Sequence, residues 1–261
     1  MTAYDRDYAR LYDVFYESKP YADEAAFIAD CLTRHGSAPP GRLLELACGT
    51  GRHAVELHRR GYEILATDYS AAVLEVARSR AAAASATIEF ERQDMRALDL
   101  DGRRFDAVVC LFDALGYVRT NEAVVGTMRG VRDLLKPSGL FVFEVWHGAA
   151  MLSSFQPLRI REWSDSGRRI IRVSSTDLLI EEQLARVKYD VIVIESDGTA
   201  ATFAETHVGR YFLMQEIRYF LQTCGFELLE AFDGFTESQS ISSDTWHIVA
   251  VARKTDEKVK E

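Results

Sequence analysis

Apolar positions change texture along the chain. From Tyr4 to His35 they recur at intervals of three and four, at Tyr8, Leu11, Tyr12 and Phe15 and again at Phe27, Ile28, Cys31 and Leu32, which predicts two helices parted by Lys19-Pro20. From Arg42 to about Met151, short unbroken apolar runs alternate with stretches of helical period. Leu43 to Leu46, Tyr62 to Thr67, Thr87 to Phe90, Phe105 to Cys110 and Leu140 to Trp146 read as buried strands. Helices running to Arg60, from Ala71 to Ala84 and from Asn121 to Leu135 lie between them. Between Met151 and Tyr211 apolar and polar residues alternate singly, as in Arg186 to Ile194, and Ser196 to Thr199 reads as a turn, so this stretch is an antiparallel meander. A helix from Gln215 to Cys224 and strands from Phe226 to Ala231 and Thr245 to Ala252 complete the pattern.

Strands alternating with helices predict an α/β fold: a Rossmann-like, seven-stranded, mostly parallel sheet with helices on both faces, plus an antiparallel β insertion between strands 5 and 6. Residues 1–40 form an N-terminal helical segment, and 41–150 with 212–254 form the core. Residues 151–211 are the insertion, too short for a core of its own and so expected to act as an acceptor flap or a dimer surface.

One junction in this pattern carries chemistry. The apolar run Arg42-Leu-Leu-Glu-Leu-Ala stops in Cys48-Gly-Thr-Gly51, and Ala54, Val55, Leu57 and His58 resume at helical spacing. Strand, glycine turn and helix together aim backbone N–H groups into a cleft at the strand end. Ala54 stands at the third place of the dinucleotide fingerprint, and the Lys-Ser/Thr of a phosphate loop is missing. Glu45, just before the turn, would repel a pyrophosphate and attract an ammonium or sulfonium. Asp68 ends the second strand, where a carboxylate can accept from both hydroxyls of a ribose. It could also help to cap the next helix, although Ser70 suits that role better.

Composition narrows the field. The 261 residues are 48% hydrophobic with a net charge of -9, which argues against a general nucleic-acid binder because phosphate contacts need a basic face. Cys31, Cys48, Cys110 and Cys224 are scattered without metal-ligand or pairing spacing, and no apolar run reaches the ~18 residues of a membrane span, so a cytoplasmic protein is expected. The charged end from Lys254 to Glu261 reads as a fraying tail.

The run Glu45-Leu-Ala-Cys-Gly-Thr-Gly51 resembles the first motif of class I S-adenosylmethionine (SAM)-dependent methyltransferases. Gln93-Asp-Met-Arg96 resembles the same family's adenine-contacting motif, and Leu111 to Tyr117 falls where a strand end meets the transferring methyl group. The resemblance implies SAM as cofactor, held by Tyr21, Glu45, Ala47, Gly49, Thr50, Gly51, Asp68, Tyr69, Asp94, Met95, Leu111 and Phe112. It also implies that residues 1–40 form a lid carrying Tyr12, Tyr16 and Tyr21, while Tyr8 and Phe15 are expected to pack on the main domain. Within the family, Tyr12-Asp with Lys19 and Tyr21, Gln93 to Arg96, and Phe112 to Tyr117 with Phe143 to Trp146 resemble aminosugar N,N-dimethyltransferases. Those relatives end the fifth strand Glu-Pro-Trp-Trp, where this chain has Glu144-Val-Trp-His147.

Methyl transfer needs alignment and exclusion of water, with a base only when the nucleophile arrives protonated. His147 is the candidate base, or else a hydrogen-bonded structural residue, and Tyr12 and Tyr117 are candidates to contact the methyl group. Tyr16, Glu144, Trp146, His207 and Arg210 are candidates for the acceptor side. The chain has neither His-x-x-His nor clustered carboxylate ligands, so no metal is expected. The partner implied is a small-molecule acceptor, most simply an amine, with O- or C-methylation as the alternative, a SAM-binding interaction module as the non-enzymatic one, and a possible homodimer. Neither nucleic acid nor membrane is expected as a partner.

Overall fold

The computed structural model describes residues 6–100 and 102–256, with side chains from Leu11 onward. The expected packing of Tyr8 and the tail from 257 to 261 lie outside the described residues. In chain order the first half runs α1 (Arg6–Phe15), α2 (Tyr21–Arg34), β1 (Arg42–Leu46), α3 (Arg52–Arg59), β2 (Glu63–Asp68), α4 (Ala71–Ala83), β3 (Glu89–Arg92) and β4 (Phe105–Cys110). A short 3-10 turn, Ala114–Tyr117, leads to α5 (Asn121–Leu134), β5 (Leu135–Trp146) and α6 (Gly148–Ser153). Then follow β6 (Leu158–Asp165), β7 (Arg168–Leu179), β8 (Leu184–Ile194), β9 (Ala200–Arg210), α7 (Met214–Thr223), β10 (Phe226–Asp233) and β11 (His247–Lys254).

The first sheet has seven strands in the order β10-β11-β5-β4-β1-β2-β3, parallel from β3 to β5 and antiparallel at β11 and β10. Its central strands are buried on both faces, which is why they read as unbroken apolar runs. Leu43, Ala66, Val109 and Val142 face α2, α3 and α4 in one apolar layer; Leu44, Leu65, Val108 and Phe141 face α5 and α7 in the other. The strand order reverses between β1 and β4, so the carboxyl ends of these neighbours open a cleft, the usual ligand position in such a sheet. β6 to β9 form a second, consecutive antiparallel sheet between β5 and β10.

Some sequence expectations shift. β5 begins at Leu135 rather than Leu140, because Lys136 to Gly139 bulge outward while Leu135 already pairs with Phe105. β3 covers Glu89–Arg92 rather than Thr87 to Phe90, its register set by pairing with Leu65 to Asp68 on this sheet edge. Phe15 packs on the insertion, not on the main domain: Leu11, Tyr12 and Phe15 join Ile170, Val191 and Val193, with the Phe15 and Trp163 rings 5.0 Å apart. The amphipathic α1 thus covers the apolar end of the second sheet. All four cysteines are free and buried, and among the described residues no helix is long and apolar enough to cross a membrane.

Candidate active site

At the β1 end, Ala47 (φ 50°), Gly49 (φ 54°) and Gly51 (φ 75°) turn the chain through the left-handed region. A Cβ on Gly51 would stand 3.0 Å from Ala77 Cβ, so glycine there lets α3 and α4 approach. Asp68 closes the turn: Gly49 N–H donates to Oδ2 at 3.0 Å and Ser70 N–H to Oδ1 at 2.8 Å. Ser70 occupies the cap position of α4 without a side-chain cap bond, so Asp68 meets part of the capping need expected of Ser70.

Above this turn lies a cavity of about 370 Å³. Of the residues expected around the cofactor, Tyr21, Glu45, Ala47, Gly49, Thr50, Asp68, Tyr69, Asp94, Met95, Leu111 and Phe112 line it, joined by Tyr12 and Tyr117. Gly51 does not; it is the left-handed N-cap of α3. Glu45 is 3% exposed, and its Oε2 has no hydrogen-bond partner. Burial and the neighbouring Asp68 charge push its carboxyl up to about 8. Burial also raises Asp68, against the pull of the Ser70 and Gly49 N–H groups. Asp94 is held low by Arg96, whose Nη2 donates to it at 2.6 Å. Asp13 on α1 accepts from Thr50 Oγ1 and from Arg52 Nε, each at 3.0 Å, and pairs with Arg80, which ties α1 over the glycine turn.

A second cavity, of about 410 Å³, meets the first at Phe112 and Tyr117, which line both. One wall comes from the core, with Asp113, Trp146 and His247; another comes from the insertion, with Arg172, Tyr189 and His207; Tyr16 faces in from the N-terminal segment. Phe112 and Asp113 both take left-handed φ of 57°, a strain that turns these neighbours to either side of the junction. Beneath, Glu144 accepts from Phe112 N–H at 2.5 Å, while His247 Nδ1 lies 3.2 Å from Glu144 and 3.0 Å from Asp113. Burial opposes charge on His247, but the two carboxylates prevail and raise it to about 11, so it is an imidazolium at neutral pH. The three side chains place ligand atoms within 4.8 Å of one another, a cluster absent from any local motif because its members come from three separate segments.

Tyr117 Oη is 2.8 Å from His207 Nδ1. Burial and the charge of Arg172 lower His207 to about 4, so its ring is neutral. With Glu205 Oε1 3.5 Å from Nε2, the ring proton belongs on Nε2, and Nδ1 accepts from the Tyr117 hydroxyl.

Three expected acceptor-side residues lie elsewhere. His147 lines neither cavity; it is 5% exposed, its Nδ1 bonded to the Thr245 carbonyl at 3.1 Å, a structural role at the start of α6. Glu144 lies under the floor, and Arg210 pairs with Glu216 under the rings of Phe212 and Phe220. Sequence reading missed Asp113, Arg172 and His247. The first lay inside a quoted motif, but the other two had no local signal.

Residues 43–139 match the family model described as "Methyltransferase domain". The chain is 30% identical over 250 residues to the putative methyltransferase YqeM of Bacillus subtilis (strain 168), covering 95% of this chain and 97% of the relative. It is 33% identical over 208 residues to the dTDP-3-amino-3,6-dideoxy-alpha-D-glucopyranose N,N-dimethyltransferase of Streptomyces fradiae, covering 78% and 77%. A crystal structure of an S-adenosylmethionine-dependent methyltransferase from Clostridium acetobutylicum ATCC 824 shares the fold, with a TM-score of 0.81 at 20% identity over 95% of this chain and 98% of that one. A buried carboxylate with an unsatisfied oxygen beside a glycine turn suits a cationic nucleoside, and the chain belongs to the class I SAM-dependent methyltransferases.

Proposed function

We propose that the enzyme methylates the amine of a small, aminosugar-like metabolite, with SAM in the first cavity and the acceptor in the second. The observation that carries this reading is the junction: the cavities share Phe112 and Tyr117, and the Tyr117 hydroxyl lies 2.8 Å from His207 Nδ1, to which it donates in the tautomer that the nearby Glu205 charge favours. The phenol oxygen then accepts an amine N–H, which turns the amine lone pair toward the cofactor cavity. SAM supplies a methyl group activated by its sulfonium. Glu45 would face its cationic amino-acid end, Asp68 the ribose hydroxyls and Asp94 the adenine amino group. Tyr12 and Tyr21, on the side of α1 and α2, would exclude water as a lid.

A neutral amine needs no base to attack, whereas a hydroxyl favours one. In the second cavity His207 is pushed too low, His247 is already protonated, and Asp113, raised by burial to about 6, is engaged by the His247 imidazolium at 3.0 Å. This favours N- over O-methylation, and the named activity of the Streptomyces relative agrees with it. The test is methyl transfer from SAM to matched pairs of amino and hydroxy sugars. Transfer to the amino member alone is expected; transfer confined to the hydroxy members would overturn the reading.

A further inference from the structure

Behind the Tyr117 hydroxyl, β9 presents a row of inward side chains. Glu205, His207 and Gly209 alternate along the strand and so share one face of it. Tyr189 and Val187 of β8 stand opposite Glu205 and His207, and the Tyr189 ring lies 5.2 Å from the His207 ring. Glu205 and His207 are both buried. His207 lines the second cavity, whereas Glu205 lines neither cavity. Tyr117, His207 and Glu205 therefore form a chain that leads from the junction into the insertion, with contacts of 2.8 Å and 3.5 Å.

A neutral imidazole has one ring proton and one lone pair, so its two nitrogens play opposite parts. Burial, aided by the Arg172 charge, keeps a second proton off His207. The carboxylate 3.5 Å from Nε2 decides where the one proton sits: it repels a lone pair on that nitrogen and attracts an N–H. Nδ1 is left as the acceptor, and the single phenol proton of Tyr117 is spent on it. The consequence reaches the methyl acceptor. A phenol oxygen whose proton is spent offers only lone pairs, which take an amine N–H and leave the amine's own lone pair open. With the ring proton on Nδ1 the phenol would donate instead, and its proton would cover the lone pair that has to attack the methyl group.

We propose that Glu205 is a positioning residue for the reaction: by holding the His207 ring proton on Nε2, it turns the Tyr117 oxygen, rather than the Tyr117 proton, toward the acceptor amine. This rests on the second cavity being the acceptor site. The experiment is NMR of the histidine ring nitrogens in the full chain saturated with S-adenosylhomocysteine, the His207 signals being assigned with His207→Gln. At neutral pH the wild type is expected to carry the proton on Nε2, with Nδ1 accepting a hydrogen bond that Tyr117→Phe removes. Glu205→Gln keeps the shape, lacks the charge and has an amide N–H that can donate to Nε2, so the Nδ1–H form should gain at least about tenfold in relative population. Turnover of the amino sugar selected by the matched pairs gives a second readout: Glu205→Gln should lower kcat about tenfold and have no further effect in Tyr117→Phe, because it acts only through that hydroxyl. A wild-type ring proton on Nδ1 overturns the proposal; so does a tautomer unchanged in Glu205→Gln, or a loss of kcat that is as large in Tyr117→Phe as in the wild type. Should Glu205→Gln fail to fold, the wild type and Tyr117→Phe decide, and an Nδ1 signal that Tyr117→Phe leaves in place overturns the proposal. Methylation of no amino sugar would overturn the amine reading alone, since the spectra need no acceptor.

Discussion

Glu45 sits where two demands conflict. A carboxylate with an unsatisfied oxygen inside the core destabilises the ligand-free protein, and here burial and Asp68 hold it protonated up to about pH 8. A cationic ligand reverses the balance by restoring the charge's partner, so binding should expel a proton. SAM affinity is therefore expected to tighten as pH rises from 6 to 8, with the binding heat depending on the buffer's ionisation enthalpy. The unfolded chain loses this proton near pH 4.5, and the folded one keeps it to about 8; stability of the ligand-free protein thus falls across that window. Glu45→Gln should raise ligand-free stability at pH 8 by on the order of a few kcal/mol while weakening SAM at least about tenfold. A variant that binds SAM as the wild type does would refute the role given to this carboxylate. Asp68→Ala is a separate probe of the same cavity: losing two charge-assisted bonds to a diol should weaken SAM about 100-fold or more by calorimetry. Unchanged binding would remove the ribose assignment.

At the scale of elements, the second cavity depends on one tight joint. The 3-10 turn and β9 come so close that a Cβ on Gly116 would lie 2.8 Å from the Arg210 carbonyl oxygen, backbone that cannot yield cheaply. Gly209 likewise has its own approach, to Trp146, whose ring would be 3.2 Å from an added Cβ. The joint sets the Tyr117–His207 contact, because one residue rides on the turn and the other on β9. Gly116→Ala is expected to cost about 1–3 kcal/mol in urea unfolding and to raise the acceptor KM; a stability change within about 0.5 kcal/mol would contradict the joint. What the sequence revealed and what it hid divide along the same lines. Glu45, Asp68 and Asp94 were legible because each lies near or just beyond the carboxyl end of a strand of the parallel sheet, and strand order alone brings those ends together. Alternation in β6 to β9 disclosed a sheet and its two faces, but which face turns toward the core depends on α1 capping the apolar end, a contact between segments far apart in the chain. Arg172 therefore read as one more polar position. His147 misled for a local reason: neighbours in extended chain point to opposite sides, so with Trp146 in the cavity His147 points away.

At the scale of the whole molecule, the trio of Asp113, Glu144 and His247 fastens the loop after β4, the end of β5 and the start of β11 beneath the junction of the two cavities. Two carboxylates buried side by side repel unless a cation lies between them, and the His247 imidazolium is that cation. The folded protein holds this proton to about pH 11, while an unfolded histidine releases it near 6.5. The stabilisation is therefore complete below pH 6.5 and drains away as pH climbs toward 11. Asp113, raised by burial to about 6, is charged above that value, so the pairing is read from pH 7 upward. Compared with His247→Gln, the wild type should have its largest stability advantage near pH 7 and a smaller one at pH 10. His247 is 38% exposed to the cavity, so screening limits the change in that gap to on the order of 1 kcal/mol. Urea midpoints of both proteins at the two pH values measure it; a gap that stays constant or widens with pH would mean that the imidazolium does not hold the carboxylates together. A narrowing gap would make the floor under Phe112 a charge-stabilised platform, one that positions the wall between the two cavities.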